Sequence, residues 1–314
     1  MTADLEIIEA SLRRLIEADP DVVSAPMADL FAAGGKRIRP ALVLLAAKFG
    51  RYDLDKLIPA AVAVELTHAA TLVHDDVIDR TPVRRGRPTV AALLGDEPAI
   101  VVGDFYFAKA YEQAASTTST EVVAILARTV MDICAGEVRQ QGIRYRYHTD
   151  VDEYMRRIEA KTATLLSACC DIGALVGGLD VAKRAALRAY GRLLGLAFQI
   201  ADDVLDYEGS EDEIGKPIGQ DVADGFATLP LMLSMEEPQA AAQLKALLID
   251  GHVLSAGEAQ KVVDVVRASH GPQQALDRAR ELASEARREL KALAASEAGE
   301  AMAALSNYVV SRKL

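Results

Sequence analysis

The chain has 314 residues, a formal net charge of −11 at pH 7 and 51% hydrophobic residues. A chain of this size and composition can bury a large core, and its acidic balance argues against general nucleic-acid binding, which usually requires a basic face. Its three cysteines, two of them adjacent, do not form a disulfide framework and favour a reducing compartment.

The N-terminal segment has helical periodicity. Leu5, Ile8 and Leu12 recur at steps of three and four residues, and Pro20 ends the pattern. No apolar segment of signal-peptide length opens the chain, and apolar runs such as ALVLLAA at 41–47 are far shorter than the ~18 residues of a membrane span. We therefore expect a soluble, cytoplasmic protein without a transmembrane segment.

A basic cluster follows in the segment GGKRIRP at 34–40. Lys36, Arg37 and Arg39 lie between a Gly-Gly pair and Pro40. Arginine can bind phosphate through two parallel hydrogen bonds, and lysine binds it as a point charge. A lone basic cluster is more often surface charge, so its role depends on the motifs around it.

An aspartate motif lies in the segment TLVHDDVIDRTPVRRGRPT at 71–89. Asp75 and Asp79 are one helical turn apart, where two like charges repel by roughly 0.2–0.5 kcal/mol unless a cation lies between them. Arg84 and Arg85 follow in a loop rich in proline and glycine, so positive charge is available close to the carboxylates.

The middle of the chain continues the helical pattern. Thr118 and Glu121 have capping-box spacing before one helical segment, and Asp150 and Glu153 have it before another. The second of these segments contains a further basic motif, AKTA at 160–163.

A second aspartate motif, FQIADDVLDYEG at 198–209, repeats the spacing of the first motif 127 residues later (202 − 75). Carboxylates near the end of a helix oppose its dipole, and they are the ligands of Mg²⁺, which usually shares phosphate oxygens of a substrate. One copy is most simply a solvated helix end, but two copies favour a metal site. Metal ions on one side and guanidinium groups on the other form an effective clamp for a diphosphate.

The remaining segments indicate the fold. Residues 207–230 have the least helical sequence and form a predicted loop directly after the second aspartate motif. An apolar stripe at 276–293 predicts a long charged helix near the C-terminus. Because strand patterns and linkers are missing from the sequence, we predict an all-α fold in a single domain that covers residues 1–314.

Taken together, these motifs resemble the trans-isoprenyl diphosphate synthase, or polyprenyl synthetase, family. The matching segments are, in chain order, GGKRIRP, ELTHAATLVHDDVID, RRGRPT, GDFYFAKA, EAKTATLL, GLAFQIADDVLD, GKPIGQD, TLP and YVVSRKL. The resemblance implies an isoprenoid synthase fold, with helices around a central catalytic cavity, usually in a homodimer. The implied reaction joins isopentenyl diphosphate to an allylic diphosphate by ionisation, condensation and elimination, and it needs no side-chain nucleophile.

The resemblance also implies roles for individual residues. Asp75, Asp79 and Asp202 would ligate Mg²⁺, with Asp206 as a further candidate ligand and Asp76 and Asp203 in support. The implied catalytic set is Asp75, Asp76, Asp79, Asp202 and Lys161. The implied site for isopentenyl diphosphate is Lys36, Arg39, His68 and Arg85. The implied contacts of the allylic diphosphate are Arg84, Lys161, Thr162, Gln199 and Lys216.

One position departs from the family pattern. The family usually reads Gly-Lys-x-Thr-Leu-Pro after the second motif, and this chain reads GFATLP, with Phe226 in place of the lysine. A phosphate contact is therefore missing at this position. Lys216 could compensate for it, turnover could be slower, or the substrate could differ.

The residues before the first motif bear on product length. In the family, bulky aromatic residues here close the product tunnel early, whereas this chain has the small residues Ala70 and Thr71. This resemblance predicts medium- to long-chain products, longer than geranylgeranyl diphosphate. Alternatively, Ala70 is a packing residue, or another helix near Val130 or Met131 sets the floor of the tunnel.

Three alternatives remain from the sequence. The enzyme could make a shorter product, as a farnesyl or geranylgeranyl diphosphate synthase. A class I terpene cyclase would be expected to lack GGKRIRP and the second aspartate motif. A weakly active subunit of a heteromeric prenyl synthase would be expected to have lost aspartates, and all six are present.

Overall fold

A computed structural model describes residues 1–32, 34–148, 150–209 and 218–311. The helices are α1 (Thr2–Glu17), α2 (Asp21–Ala32), α3 (Ile38–Ala47), α4 (Leu54–Ile78), α5 (Val90–Leu94), α6 (Asp96–Ser116), α7 (Thr120–Gly142), α8 (Val151–Ile158), α9 (Thr164–Val176), α10 (Val181–Glu208), α11 (Gln220–Ala223), α12 (Leu229–Ser234), α13 (Pro238–Leu247), α14 (Ala256–Arg267), α15 (Gly271–Glu289) and α16 (Glu297–Ser311). A π-helical turn, Glu159–Ala163, joins α8 to α9, and a 3₁₀ turn, Leu290–Ala292, follows α15. The predicted all-α fold is confirmed.

The described chain departs from a purely helical structure at one short hairpin. Strands β1 (Val83–Arg84) and β2 (Arg87–Pro88) pair in antiparallel fashion within the predicted loop after the first aspartate motif. The sequence gives little sign of strands this short, because two residues are too few for an alternating pattern.

The chain divides into two compact units, which are described separately. Unit 1 comprises Met1–Val130 and Ala168–Arg188, and unit 2 comprises Met131–Ser167 and Ala189–Leu314. The first aspartate motif belongs to unit 1 and the second to unit 2. The expectation of a single domain over residues 1–314 stays a prediction.

In unit 1, α4 is the central helix and packs against α3 and α6. Its buried positions are mostly small, for example Ala60, Ala61 and Ala63, which lets neighbouring helices approach closely. α9 approaches α3 so closely that a Cβ on Gly173 would overlap the carbonyl of Val43. The aspartates at the end of α4 therefore project from a rigidly packed helix.

α4 is also long and apolar enough to cross a membrane by length and composition, with a mean hydropathy of 1.4 over an 18-residue window. Of that window, 67% is buried inside the protein, which is the behaviour of a core helix. A search for uninterrupted apolar runs does not reveal α4 as such a segment. Glu65, Thr67 and His68 interrupt its apolar residues but do not greatly lower its average hydropathy.

In unit 2, α15 packs against α12 and α16. Its predicted apolar stripe is buried, including Leu276, Ala279 and Ala283, so this element is confirmed. Tyr190 on α10 donates a hydrogen bond to the carbonyl of Met302 at 2.7 Å, which ties α10 to α16.

The predicted helix starts have mixed outcomes. The Asp150 side chain accepts a hydrogen bond from the Glu153 N–H at 2.6 Å and caps α8, as predicted. The prediction for Thr118 was wrong, because Thr118 has a φ of +58° and the cap is instead Ser119, whose hydroxyl accepts from the Val122 N–H at 3.4 Å. N-cap residues take an extended backbone, which the left-handed conformation of Thr118 excludes.

Candidate active site

The first aspartate motif lies at the C-terminal end of α4, as predicted. Asp79 is the residue at which α4 ends, and its N–H donates to the carbonyl of Asp75 at 2.8 Å. Asp75 and Asp79 are half-buried, whereas Asp76 is only 2% exposed. The three carboxylates are thus in two different environments, although they share one short sequence.

Asp76 forms an ion pair with Arg84 of the hairpin. Arg84 donates from Nε and Nη2 to Oδ1 of Asp76, at 2.9 and 2.7 Å. Burial raises the pKa of Asp76 above its ordinary value, and the hydrogen bond and charge of Arg84 oppose that rise. Asp76 therefore fixes the hairpin to α4, which agrees with a supporting role, while the predicted allylic contact of Arg84 stays a prediction.

The hairpin presents Arg85 at its tip. Arg85 and Gly86 form the two-residue turn with φ values of +51° and +76°, and positive φ at both positions is the requirement of a type I′ turn. The Arg85 guanidinium donates from Nη1 to the carbonyl of Gly34. The hairpin tip and the basic GGKRIRP segment are therefore neighbours within unit 1.

The glycines of the basic segment make room for these guanidinium groups. Gly34 has a φ of +80°, and a Cβ on Gly35 would lie 3.2 Å from Nη1 of Arg37 and 3.3 Å from Nη1 of Arg85. A side chain at position 35 would crowd both arginines. The backbone conformation therefore favours glycine at position 34, and the nearby guanidinium groups favour it at position 35.

Arg37 of the basic segment belongs to a partly buried ion network. It donates to both carboxylate oxygens of Glu9 at 2.7 and 3.1 Å, and from Nη1 to Glu65 at 2.8 Å. Glu9 and Glu65 were missed by the sequence analysis, because a single acid on a helix gives no signal of its distant partner. The network holds the basic segment between α1 and α4.

His68 lies one helical turn after Glu65 on α4. Burial lowers its pKa well below the ordinary value, and the charges of four arginines lower it further; these are Arg39, Arg85, Arg84 and Arg37. The ring is therefore neutral at physiological pH and can offer a hydrogen bond but no charge. The structure thus brings His68, Arg39 and Arg85 of the predicted isopentenyl diphosphate site into one positive region.

The second aspartate motif lies near the end of α10 in unit 2. Asp203 is 3% exposed and accepts hydrogen bonds from the Tyr154 hydroxyl at 2.7 Å and from the Gln199 amide at 2.8 Å. Burial and the nearby charge of Asp221 raise the pKa of Asp203 to about 7. Tyr154 was missed by the sequence analysis.

Gln199 links Asp203 to the π-helical turn. Its amide oxygen accepts from the Thr162 hydroxyl at 2.6 Å, so two of the predicted allylic contacts touch each other. Lys161, next to Thr162, lies 3.8 Å from the carboxylate of Glu137. π-helical turns inside helices are frequent at functional sites, and this one places Lys161 and Thr162 together.

The third aspartate of the second motif is turned toward the backbone. Asp206 is 1% exposed, and its carboxylate accepts from the Asp221 N–H at 3.0 Å while its carbonyl accepts from the Gly219 N–H at 2.8 Å. These bonds hold the start of α11. The predicted allylic contact Lys216 lies outside the described residues.

Phe226, at the position where the family usually has lysine, is surrounded by arginine. The guanidinium carbons of Arg144 and Arg157 each lie 5.6 Å from the centroid of its ring. Both separations are within the range of a cation–π interaction. The position thus lacks a cation of its own but has two as neighbours.

The two residues assigned to product length have different exposures. Ala70 is fully buried, and Thr71 is half-buried with its hydroxyl donating to the carbonyl of His68 at 2.7 Å. Of the alternative floor residues, Met131 is 67% exposed. The predicted tunnel stays a prediction.

Among the described residues, no group of three or more His, Cys, Asp and Glu side chains forms a metal site by itself. This finding is compatible with Mg²⁺, which binds one or two carboxylates and completes its shell with water and substrate phosphate. The half-buried Asp75 and Asp79 of unit 1 and Asp202 of unit 2 each offer only hard oxygen donors. The chemistry of each motif therefore fits Mg²⁺ and does not resemble a zinc site.

Comparisons with known proteins agree with these observations. The family model described as polyprenyl synthetase matches residues 20–266. Component 2 of heptaprenyl diphosphate synthase from Geobacillus stearothermophilus is 41% identical over 249 residues, which cover 79% of this chain and 77% of that protein.

Two solved structures are similar over their whole length. Heptaprenyl diphosphate synthase from Staphylococcus aureus has a TM-score of 0.94 at 30% identity, covering 99% of this chain and 98% of that one. Polyprenyl synthase from Caulobacter crescentus, in complex with calcium and isoprenyl diphosphate, has a TM-score of 0.93 at 36% identity, covering 100% of this chain and 96% of that one.

Proposed function

This chain belongs to the polyprenyl synthetase family, and we propose that it is a chain-elongating trans-prenyltransferase. It condenses isopentenyl diphosphate with an allylic diphosphate to give a medium- or long-chain all-trans polyprenyl diphosphate. The observation that carries the proposal is the positive region of unit 1, where the charges of Arg39 on α3 and Arg85 at the hairpin tip act on neutral His68. His68 lies on α4, the helix whose C-terminal end bears Asp75 and Asp79.

Isopentenyl diphosphate binds in this positive region. Arg85 and Arg39 provide guanidinium groups that match the geometry of phosphate oxygens, and Lys36 adds a point charge. Neutral His68 adds a hydrogen bond without repelling the arginines. The partly buried Glu9–Arg37–Glu65 network keeps the basic segment in place during turnover.

The allylic diphosphate binds with Mg²⁺. Asp75, Asp79 and Asp202 would be the ligands of this ion, which would supply charge stabilisation for the departing diphosphate. Lys161 and Thr162 contact the diphosphate from the π-helical turn, and Gln199 orients Thr162 through their 2.6 Å hydrogen bond.

The reaction follows from these positions. Cationic side chains stabilise the negative charge that develops on the leaving diphosphate, so the allylic carbon–oxygen bond breaks and a carbocation forms. The double bond of isopentenyl diphosphate attacks that carbocation, and the released diphosphate accepts the proton that is then lost. No side chain of the protein forms a covalent bond with the substrate.

A steady-state assay tests this function. Purified protein with Mg²⁺, isopentenyl diphosphate and a geranyl or farnesyl primer should release diphosphate, and EDTA should abolish the release until Mg²⁺ is restored in excess. Turnover that persists in EDTA would contradict the metal requirement, and the absence of elongation with every primer would contradict the proposed reaction.

Medium- or long-chain products are supported by the small residues Ala70 and Thr71 and by two heptaprenyl synthases among the similar proteins. Substituting Thr71→Phe or Ala70→Phe should shorten the product to farnesyl or geranylgeranyl length, measured by chromatography of the dephosphorylated products. Ala197→Phe is the matched control, because Ala197 lies five residues before Asp202, as Ala70 does before Asp75, and is as fully buried as Ala70. An unchanged distribution in Thr71→Phe and Ala70→Phe would place the tunnel floor elsewhere.

A second candidate function is that of one component of a heteromeric synthase. The name "component 2" of the Geobacillus stearothermophilus relative supports this alternative. All six aspartates are present, so we favour a chain that is itself catalytically active, while the homodimer is implied by the family resemblance alone. Elongation by the purified single chain, together with its mass in solution, distinguishes the two arrangements.

A further inference from the structure

Arg157 on α8 is a buried cation without an ion pair. It is 9% exposed, and its guanidinium has one hydrogen-bond acceptor among the described residues, the carbonyl of Ala227 at 2.7 Å from Nη2. No described carboxylate lies within ion-pair distance. The charge of Arg157 does act on buried Asp203, whose pKa it lowers, but the two groups form no ion pair. A buried charge without an ion pair is costly, so a function for this one is worth testing.

Two aromatic rings hold the guanidinium in place. Its central carbon lies 5.3 Å from the centroid of the Tyr154 ring and 5.6 Å from that of Phe226. Together with the Ala227 carbonyl, these rings fix the orientation of the side chain and leave most of its five N–H donors available. Phe226 therefore acts as a support for Arg157.

Arg144 provides an internal comparison. Its guanidinium lies equally close to the Phe226 ring, at 5.6 Å, but it donates to the carbonyl of Asp224 at 2.6 Å and forms an ion pair with that carboxylate at 3.8 Å. Arg144 thus forms an ion pair with a neighbouring carboxylate, whereas Arg157 has none among the described residues. The Phe226 ring therefore lies beside one ion-paired arginine and one arginine without an ion pair.

Arg157 also lines a cavity of about 400 Å³ between α7, α8 and the π-helical turn. Two carboxylates of the cavity wall are compensated, since Glu153 pairs with Arg156 at 2.9 Å and Glu159 pairs with Arg192 at 2.6 Å. The wall otherwise has two arginines, Arg139 and Arg157, against the single carboxylate of Asp132. The remaining charge favours an anion.

Arg157 lies next to residues that connect to the proposed allylic site. Tyr154, whose ring contacts Arg157, donates to Asp203, and Asp203 connects through Gln199 to Thr162. We propose that Arg157 is the cation of a phosphate-binding subsite, that Phe226 positions it, and that the subsite takes a diphosphate group. The identification of the ligand as a diphosphate rests on the proposed function.

The proposal explains the aromatic residue at position 226. A lysine there would bring an ammonium group beside two guanidinium groups, and like charges at that distance repel. The phenyl ring instead stabilises both arginines through its π-face. The positive charge is therefore supplied from α8, and Phe226→Lys should fail to improve binding of the allylic substrate.

The test uses isothermal titration of the full chain with inorganic pyrophosphate in the presence of EDTA, which removes any contribution of metal. Arg157→Met should weaken binding on the order of tenfold or more, since several charge-assisted hydrogen bonds are lost. Arg157→Lys should retain part of the affinity, and Arg144→Met should bind within twofold of the wild type. The melting temperature of Arg157→Met should stay within a few degrees of the wild type, because loss of the Ala227 hydrogen bond and the two ring contacts is offset by removal of a buried charge at similar volume.

Steady-state kinetics then identify the source of the diphosphate. A parallel rise in the KM for the allylic primer, with the KM for isopentenyl diphosphate within twofold, assigns the subsite to the allylic substrate. A weaker titration with unchanged kinetics assigns it to free diphosphate. If Arg157→Met binds pyrophosphate like the wild type, or if Arg144→Met weakens binding equally, the subsite is disproved, and this result does not depend on whether the wild type elongates prenyl chains.

Discussion

The two aspartate motifs have the same spacing but different surroundings. In both, the second aspartate is buried and bound by protein donors, which are a guanidinium for Asp76 and a neutral hydroxyl and amide for Asp203. Burial and the charge of Asp221 raise the pKa of Asp203 to about 7 although its two hydrogen bonds oppose the rise, and the hydrogen bond and charge of Arg84 oppose the rise that burial causes in Asp76. The repeated sequence motif thus specifies the spacing of the candidate ligands. The residues that pack around each motif determine the charge state of its second aspartate.

The third aspartates differ as well. α4 ends at Asp79, which is half-buried, whereas α10 continues beyond Asp206 to Glu208 and leaves Asp206 only 1% exposed. Asp206 accepts a backbone hydrogen bond from Asp221, so part of its carboxylate holds the chain rather than facing outward. We therefore expect the first motif to provide two half-buried metal ligands, Asp75 and Asp79, and the second motif to provide one, Asp202.

The largest expected effect is on catalysis. Asp75→Ala and Asp202→Ala should each lower kcat on the order of 10²–10³-fold, because each removes electrostatic support for the leaving diphosphate. Asp55→Ala, an exposed acid in the first turn of α4, is the control and should leave kcat unchanged. If only one of the two motifs proved sensitive in steady-state assays, the motifs would not share the metal function.

Loss of the Arg84–Asp76 ion pair of the first motif should have a large effect on the free energy of unfolding. Arg84→Met leaves Asp76 as a buried charge without its partner and should lower the free energy of unfolding by roughly 3 kcal/mol, the low end of the buried-pair range because Arg84 is 28% exposed. Arg87→Met removes the exposed pair with Asp29 from the same hairpin and should cost at most about 1 kcal/mol. Urea unfolding measures both, and equal losses would show that Asp76 is not effectively buried.

The hydrogen bond of the second motif should have a smaller effect. At pH 8, Tyr154→Phe removes a donor from a charged acceptor and should cost about 1.5–3 kcal/mol of unfolding free energy. Tyr190→Phe, which removes a 2.7 Å bond to a neutral carbonyl elsewhere in unit 2, should cost about 0.5–1.5 kcal/mol. A larger loss in Tyr190→Phe would contradict the charged state of Asp203 at this pH.

The smallest expected effect is on the pH dependence of stability in metal-free protein, through the titration of Asp203. Its folded-state pKa of about 7 lies above the unfolded value of about 3.9, so the folded state binds the proton more tightly between these values. The stability that this carboxyl contributes is complete below pH ~4, falls as pH rises to about 7 and is constant above that. Asp203→Asn should lack this slope in melting temperatures measured from pH 4 to 8, and an identical slope in the variant would assign it to another group.

Much of the fold was predictable because helix periodicity is local. The burial of Leu12 in α1 and of Leu276 in α15 follows from spacing alone, and the Asp150 cap follows from a four-residue motif. Short-range prediction failed where the backbone took an unusual conformation. Thr118 and Arg85 both have positive φ, which no pattern of side-chain polarity signals.

The sequence by itself determined the spacing of both aspartate motifs, their positions near helix ends and the family to which the chain belongs. Only the tertiary structure decided which charges are compensated. Arg37 finds acids 28 residues away in either direction, Tyr154 reaches Asp203 across 49 residues, and Arg157 finds no carboxylate partner among the described residues. Helix spacing depends on contacts within a few residues, whereas the energy of a buried charge depends on whichever distant segments packing brings to it.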